Sequence, residues 1–269
     1  MTAIYDKIGD GYDITRRADP GILAALISHL APVSTGKYLD VACGTGNYTA
    51  KLGGAGGTWY AVDQSETMLA EARLKAPGLQ WRHGDVERLP FQDDCFDGAT
   101  CTLAIHHFPD LDRAFAEIAR VITDQGRFVL FTSTPEQMRG YWLNHYFPDM
   151  MARSGEQMPS LERVERALAL AGMTIDRVQP FFIEPGLQDF FLYSGKQRPA
   201  MYLSEQVRNG ISSFRNLCSK HELQGGLARL EADIASGDIR QVMADHENDL
   251  GDYCFVLATK AGPSHEQTR

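Results

Sequence analysis

The stretch Tyr38-Leu39-Asp40-Val41-Ala42-Cys43-Gly44-Thr45-Gly46 decides the fold. Its first four residues read as a strand, and the strand runs into a turn built on two glycines. Gly44 and Gly46 allow a tight bend and a close approach of backbone to a ligand. Tyr48 to Leu52 then opens a helix, and the first N–H groups of a helix have no partner inside it. Strand, glycine turn and helix in this order predict the ligand-binding edge of an α/β sheet. The turn by itself would suit a pyrophosphate, but Thr49 stands where the dinucleotide fingerprint has its third small residue.

Working outward, the same alternation repeats. Ile22 to Leu30 has helical spacing behind Pro20, and Trp59 to Asp63 reads as a second strand. Ser65 caps a helix over Glu66 to Lys75. Leu79 to His83 is a third strand, Phe96 to Leu103 a fourth, Leu111 to Val121 an amphipathic helix, and Gly126 to Phe131 a fifth strand. Short strand–helix units of this kind predict a parallel sheet covered on both faces.

The second half departs from the alternation. Leu161 to Ala171 reads as a helix stopped by Gly172. Met173 to Ile183 and Asp252 to Lys260 read as strands of a hairpin interrupted by a helical insertion, with helical runs at Val207 to Lys220 and Leu227 to Ala235. The expected fold is α/β: a seven-stranded, mostly parallel, doubly wound sheet with an antiparallel C-terminal strand and a helical insertion or lid. One domain spans 1–269, with a cofactor-binding core at 18–134 and acceptor-binding insertions at 135–159 and 184–251.

The chemistry-bearing residues follow the glycine turn. Asp63 ends the second strand, where a carboxylate can accept from both hydroxyls of a ribose. In Gly84-Asp85-Val86-Glu87-Arg88-Leu89-Pro90-Phe91, Asp85 can accept from an adenine amine and the Val86 N–H can donate to a ring nitrogen. The fourth strand runs out into Leu103-Ala104-Ile105-His106-His107-Phe108. Taken together, these motifs resemble the class I, Rossmann-like S-adenosylmethionine methyltransferases. The likeness is nearest to the ubiquinone/menaquinone-biosynthesis type of small-molecule enzyme, and it covers Tyr38 to Thr132.

The resemblance implies S-adenosylmethionine as cofactor and assigns residues. Asp40 would stand by the methionine amino group, with Ala42, Gly44 and Gly46 as the backbone wall. Asp63 would take the ribose, Gln64 and Met68 would flank the adenine, Asp85 and Val86 would read its edge, and Ala104 to His106 would lie beside the methionine part. The family usually carries glycine where this chain has Ala42. Tyr12-Asp13-x-x-Arg16-Arg17 is similar to the family's closing helix, so Tyr12 and an arginine, Arg17 or Arg16, would meet the carboxylate.

For the transfer itself, a general base is needed only where the acceptor must lose a proton. His106 and His107 are the first candidates, and His145 and Tyr146 the next. Their neighbours Tyr141 and Phe147 could line an acceptor pocket or belong to the core; Trp142 reads as core. The alternative to an enzyme is a catalytically silent cofactor-binding or partner subunit. A nicotinamide oxidoreductase is disfavoured by the G-x-G spacing.

Composition narrows the partners. The net charge of −9 disfavours a phosphate backbone, so nucleic acid is not expected as a partner. Five cysteines without a C-x-x-C pair give no metal signature and read as reduced thiols. No apolar run is long enough to span a bilayer. A cytoplasmic monomer or homodimer acting on a small-molecule acceptor, without membrane insertion, is expected.

Overall fold

The computed structural model describes residues 15–262. The first helix, α1 (Pro20–Leu30), starts where Asp19 accepts from the N–H groups of Gly21 and Ile22, and it buries Ile22, Leu26 and Leu30 at helical spacing. Strand β1 (Lys37–Val41) leads through the glycine turn into α2 (Asn47–Leu52). β2 (Thr58–Asp63), α3 (Glu66–Lys75) and β3 (Gln80–His83) follow, the helix capped by Ser65 Oγ accepting from Met68 N–H. β4 (Phe96–Thr102) ends in a 3₁₀ turn over Ile105–His107. α4 (Leu111–Val121) buries Leu111, Phe115 and Ile118 on one face and runs directly into β5 (Ile122–Thr132).

These strands and the last two form one sheet in the order β3-β2-β1-β4-β5-β7-β6, where β6 is Met173–Phe181 and β7 is Tyr253–Lys260. β1 to β5 pair in parallel, whereas β7 lies antiparallel to both β5 and β6. The expected α/β architecture with its antiparallel C-terminal strand is therefore the one observed. β5 begins four residues before the expected Gly126, because Ile122 already pairs with Phe96 ahead of an irregularity between Phe96 and Gly98.

Two insertions stand on this frame. Between β5 and β6 lie α5 (Pro135–Arg139), α6 (Leu143–Tyr146), α7 (Pro148–Gln157) and α8 (Leu161–Leu170). Between β6 and β7 lie a 3₁₀ turn at Pro199–Leu203, α9 (Glu205–Asn209), α10 (Ser212–Asn216), α11 (Lys220–Ser236) and α12 (Ile239–Asp245). The sequence run Val207 to Lys220 is not one helix. It breaks at Gly210, where a β-carbon would collide with the Thr15 hydroxyl. Ser219 then caps α11 by accepting from Glu222 N–H, so that helix starts earlier than the expected Leu227.

Two apolar layers hold the sheet. One packs Leu39, Val41, Phe115, Ile118, Phe128 and Val256. The other joins α1 to the insertions through Trp59, Phe131, Trp142, Tyr146, Tyr202 and Phe255. Each such side chain, fully buried, contributes roughly 1.5–3 kcal/mol. Tyr141, Trp142, Tyr146 and Phe147 are all buried in the second layer, which settles them as core.

Candidate active site

Between β1 and β4 the strand order reverses, and a crevice must open where the connections leave toward opposite sides. The chain encloses a cavity of about 230 Å³ there. Its sheet-side wall comes from the ends of β1, β2 and β4, and its other wall from residues of both insertions.

Asp40 lies at the bottom, buried. Its two oxygens accept from Thr49 Oγ1 and, at 2.9 Å, from Thr100 Oγ1. Burial pushes its carboxyl up to about 6, against the opposing pull of those two hydroxyls. Asp63 accepts from Gly44 N–H and Ser65 N–H, one on each oxygen and both at 2.8 Å. Burial raises its pKa too, with these backbone donors acting the other way. A carboxylate oxygen can accept more than one hydrogen bond, so each retains capacity toward the cavity.

The loop between them is strained as well as bent. Ala42 has φ +54° and Gly44 φ +55°. A β-carbon added at Gly44 meets nothing within 4 Å, whereas one at Gly46 would overlap the Trp81 ring. The two glycines thus do different work: Gly44 leaves bare backbone facing the cavity, and Gly46 lets α2 pack on α3 and β3. At the end of β4, Leu103 also sits at φ +54°, its N–H held by Phe131 O at 2.8 Å.

Gln64 and Asp85 line the cavity as exposed residues, Val86 as a half-buried one, and Met68 and Ala104 as buried ones. Past Ala104 stand His106 and His107, ring centroids 3.9 Å apart. Burial, then His107 and Arg16, push His106 down to about 3; burial pushes His107 down to about 4. Both rings are neutral at neutral pH. His106 Nδ1 is buried without a hydrogen-bond partner, as is Thr102 Oγ1 beside it in the same wall.

Two candidates fall elsewhere. His145 is exposed on α6 and does not line the cavity, because Tyr146 and Phe147 take the buried side of that turn. Arg17 is exposed, and it is Arg16 that turns inward. Tyr12 lies outside the described residues. Sequence reasoning missed Asp189, a buried carboxylate in the cavity wall that accepts from Arg16 Nε at 2.5 Å and Tyr48 Oη at 3.2 Å. The signal was available: Asp189 is the lone charge in Asp189-Phe190-Phe191-Leu192-Tyr193. Asn47 Nδ2 donates to Arg16 O, while Phe190 N–H donates to Thr15 O and Gln188 N–H to Asp19 Oδ2, so residues 15–19 are tied to α2 and to the second insertion. Among the described residues, no group of His, Cys, Asp or Glu could hold a metal ion, and no helix is long and apolar enough to cross a membrane.

Comparison with known proteins agrees with this geometry. A family model described as a methyltransferase domain matches residues 39–130. The demethylmenaquinone methyltransferase of Bacillus mycoides is 30% identical over 210 residues, which cover 69% of this chain and 86% of that protein. The chain belongs to the class I S-adenosylmethionine methyltransferases of the menaquinone/ubiquinone type. Another demethylmenaquinone methyltransferase of this family, from Clavibacter sepedonicus, is 31% identical, and the match spans 62% of its length. A solved structure from Anabaena variabilis, assigned as a methyltransferase of an antibiotic biosynthesis pathway, superposes with a TM-score of 0.81 at 32% identity. It covers 91% of this chain and 99% of that one. The chain is thus a methyltransferase, and the silent-subunit alternative is not favoured.

Proposed function

We propose that this methyltransferase binds S-adenosylmethionine along the β1–β2–β4 wall and methylates a small-molecule acceptor held by the two insertions. The observation that carries the reading is the bare backbone at Gly44, open to the cavity beside Asp63. When bound, the cofactor supplies an electrophilic methyl group on a sulfonium. The residues present fit it. Asp63 accepts from the ribose, Gln64 and Met68 flank the adenine, and Asp85 with Val86 reads its edge. Ala42 and Gly44 form the backbone wall, while Gly46 lies behind it against Trp81 and off the cavity; Ala104 and His106 lie beside the methionine part, and Asp40 and Arg16 take its ammonium and carboxylate. The insertions 135–159 and 184–251 act as the acceptor-binding lid, and the enzyme works in the cytoplasm. The relatives named for demethylmenaquinone support an aromatic ring as acceptor.

Asp40 makes this testable by pH. An ammonium binds its charged form, so cofactor affinity should rise about fivefold between pH 5 and 6 and level off above about pH 7, past the raised Asp40 value of about 6. In the free protein the sign is opposite. The folded chain holds this proton more tightly than the unfolded one. Its contribution to stability is fully present below the unfolded Asp value and is lost as pH rises through about 6. Titration calorimetry with S-adenosylmethionine, its demethylated product and NAD, on wild type and Asp40→Asn, checks the first, and melting temperatures of the free proteins between pH 4 and about 7 check the second. The variant should show a flat profile. Binding of NAD alone, or of none of the three, would overturn the reading.

His106 serves as the hydrogen-bond acceptor that orients the acceptor's hydroxyl. Its neutral ring and open Nδ1 suit a hydrogen bond from an acceptor hydroxyl. His106→Ala should lower kcat roughly 100-fold. The wild-type kcat profile should show no limb near the ordinary imidazole value of about 6.5. A limb there that His106→Ala abolishes would contradict a ring held neutral by burial.

A further inference from the structure

The insertion wall of the cavity contains one polar group with no role in the fold. Ser154 on α7 is only 4% exposed, lines the cavity, and its Oγ has no hydrogen-bond partner. A helical serine ordinarily bonds back to the carbonyl one turn earlier, and Ser154 does not. A buried hydroxyl without a partner is costly unless a ligand satisfies it. Met138, Met158, Phe191 and Ile211 line the same wall, whose one carboxylate, Asp189, is paired with Arg16.

Charge restricts the ligand further. Among the described residues lining the cavity, the carboxylates are Asp40, Asp63, Asp85 and Asp189, and the one Lys or Arg is Arg16, already paired with Asp189. No basic side chain from either insertion lines it. An anionic acceptor would lose its hydration with no free side-chain cation to replace it.

We infer that Ser154 is a specificity-determining residue that hydrogen-bonds a neutral oxygen of an uncharged, largely apolar acceptor, and that phosphorylated or carboxylated acceptors are rejected. The inference rests on the methyltransferase reading above and deepens it. The thioethers of Met138 and Met158 and the ring of Phe191 on this wall favour a flat ring as the body of the acceptor.

The test uses the full chain saturated with S-adenosylhomocysteine and three probes: 1-naphthol, naphthalene and 1-naphthyl phosphate. Calorimetry should rank 1-naphthol first and detect no binding of the phosphate. Ser154→Ala should weaken 1-naphthol about tenfold, leave naphthalene unchanged, and leave the S-adenosylhomocysteine Kd as in wild type, which also reports that the variant is folded. Phosphate binding equal to that of the naphthol, an unchanged naphthol-to-naphthalene ratio in the variant, or no binding of any probe to the saturated enzyme would each overturn it. Failure of S-adenosylhomocysteine itself to bind strikes the cofactor reading instead, so the two failures are distinguishable.

Discussion

Asp63→Ala is expected to weaken S-adenosylmethionine binding roughly 1,000-fold. Two hydrogen bonds from ribose hydroxyls to a carboxylate are together worth about 4 kcal/mol, and each 1.4 kcal/mol is tenfold in affinity. The carboxylate is held for this task from behind, by Gly44 N–H and Ser65 N–H at 2.8 Å each. Its removal therefore also frees the turn that the cofactor must lie against. Asp63→Asn separates the two contributions. The amide keeps the shape and one of the two acceptors, so one of the two bonds to the turn survives while the charge is lost, and affinity should fall less than in the alanine variant. Calorimetry on both, with circular dichroism to confirm the fold, checks the order. A loss under tenfold in Asp63→Ala would mean that the ribose is held elsewhere.

Gly46→Ala is expected to lower the melting temperature by roughly 10 °C. Gly46 sits at φ +70°, which costs an alanine about 1–2 kcal/mol. The new β-carbon would also overlap the ring of Trp81, which is buried and pinned by its own Nε1–H donating to Ala76 O at 2.9 Å. Overpacking of this kind adds about 1–3 kcal/mol, and each kcal/mol moves the midpoint by about 2–4 °C in a chain near this size. Gly44→Ala is the contrast: similar φ, no collision. It should melt only slightly lower but lose cofactor affinity, since its β-carbon enters the ligand's space. Equal losses of stability in the two variants would show that strain alone, not Trp81, sets the cost at Gly46.

The sheet-side wall of the cavity was legible in the sequence because it is local. Asp40, Gly44, Asp63 and Asp85 each sit at or just past the end of a strand, and strand ends follow from short-range pattern. Even the exception had meaning. Thr49 breaks the dinucleotide fingerprint, and its hydroxyl is one of the two donors that Asp40 accepts from. The second wall was not legible, since nothing local ties Asp189 to Arg16, which precedes it by 173 positions. Arg16 and Arg17 carry the same charge, and only the approach of the second insertion decides which of them turns inward. His145 reads as a candidate from its aromatic neighbours, but in a helix as short as α6 the face those neighbours bury leaves it outside.

Ala42 and Leu103 hold left-handed backbone at the ends of two adjacent strands, β1 and β4, both at the rim of the cavity. Neither is glycine, so the rim's shape is maintained at a cost of roughly 1–3 kcal/mol per residue by the surrounding sheet. Cys43 N–H to Val62 O and Leu103 N–H to Phe131 O are among the bonds that hold it. The ordering that a flexible rim would have to undergo at each encounter has been moved into folding. The chain gives up global stability so that its affinity for what enters is not diminished by rearranging the walls, and any substitution that relaxes these two residues shifts that balance back.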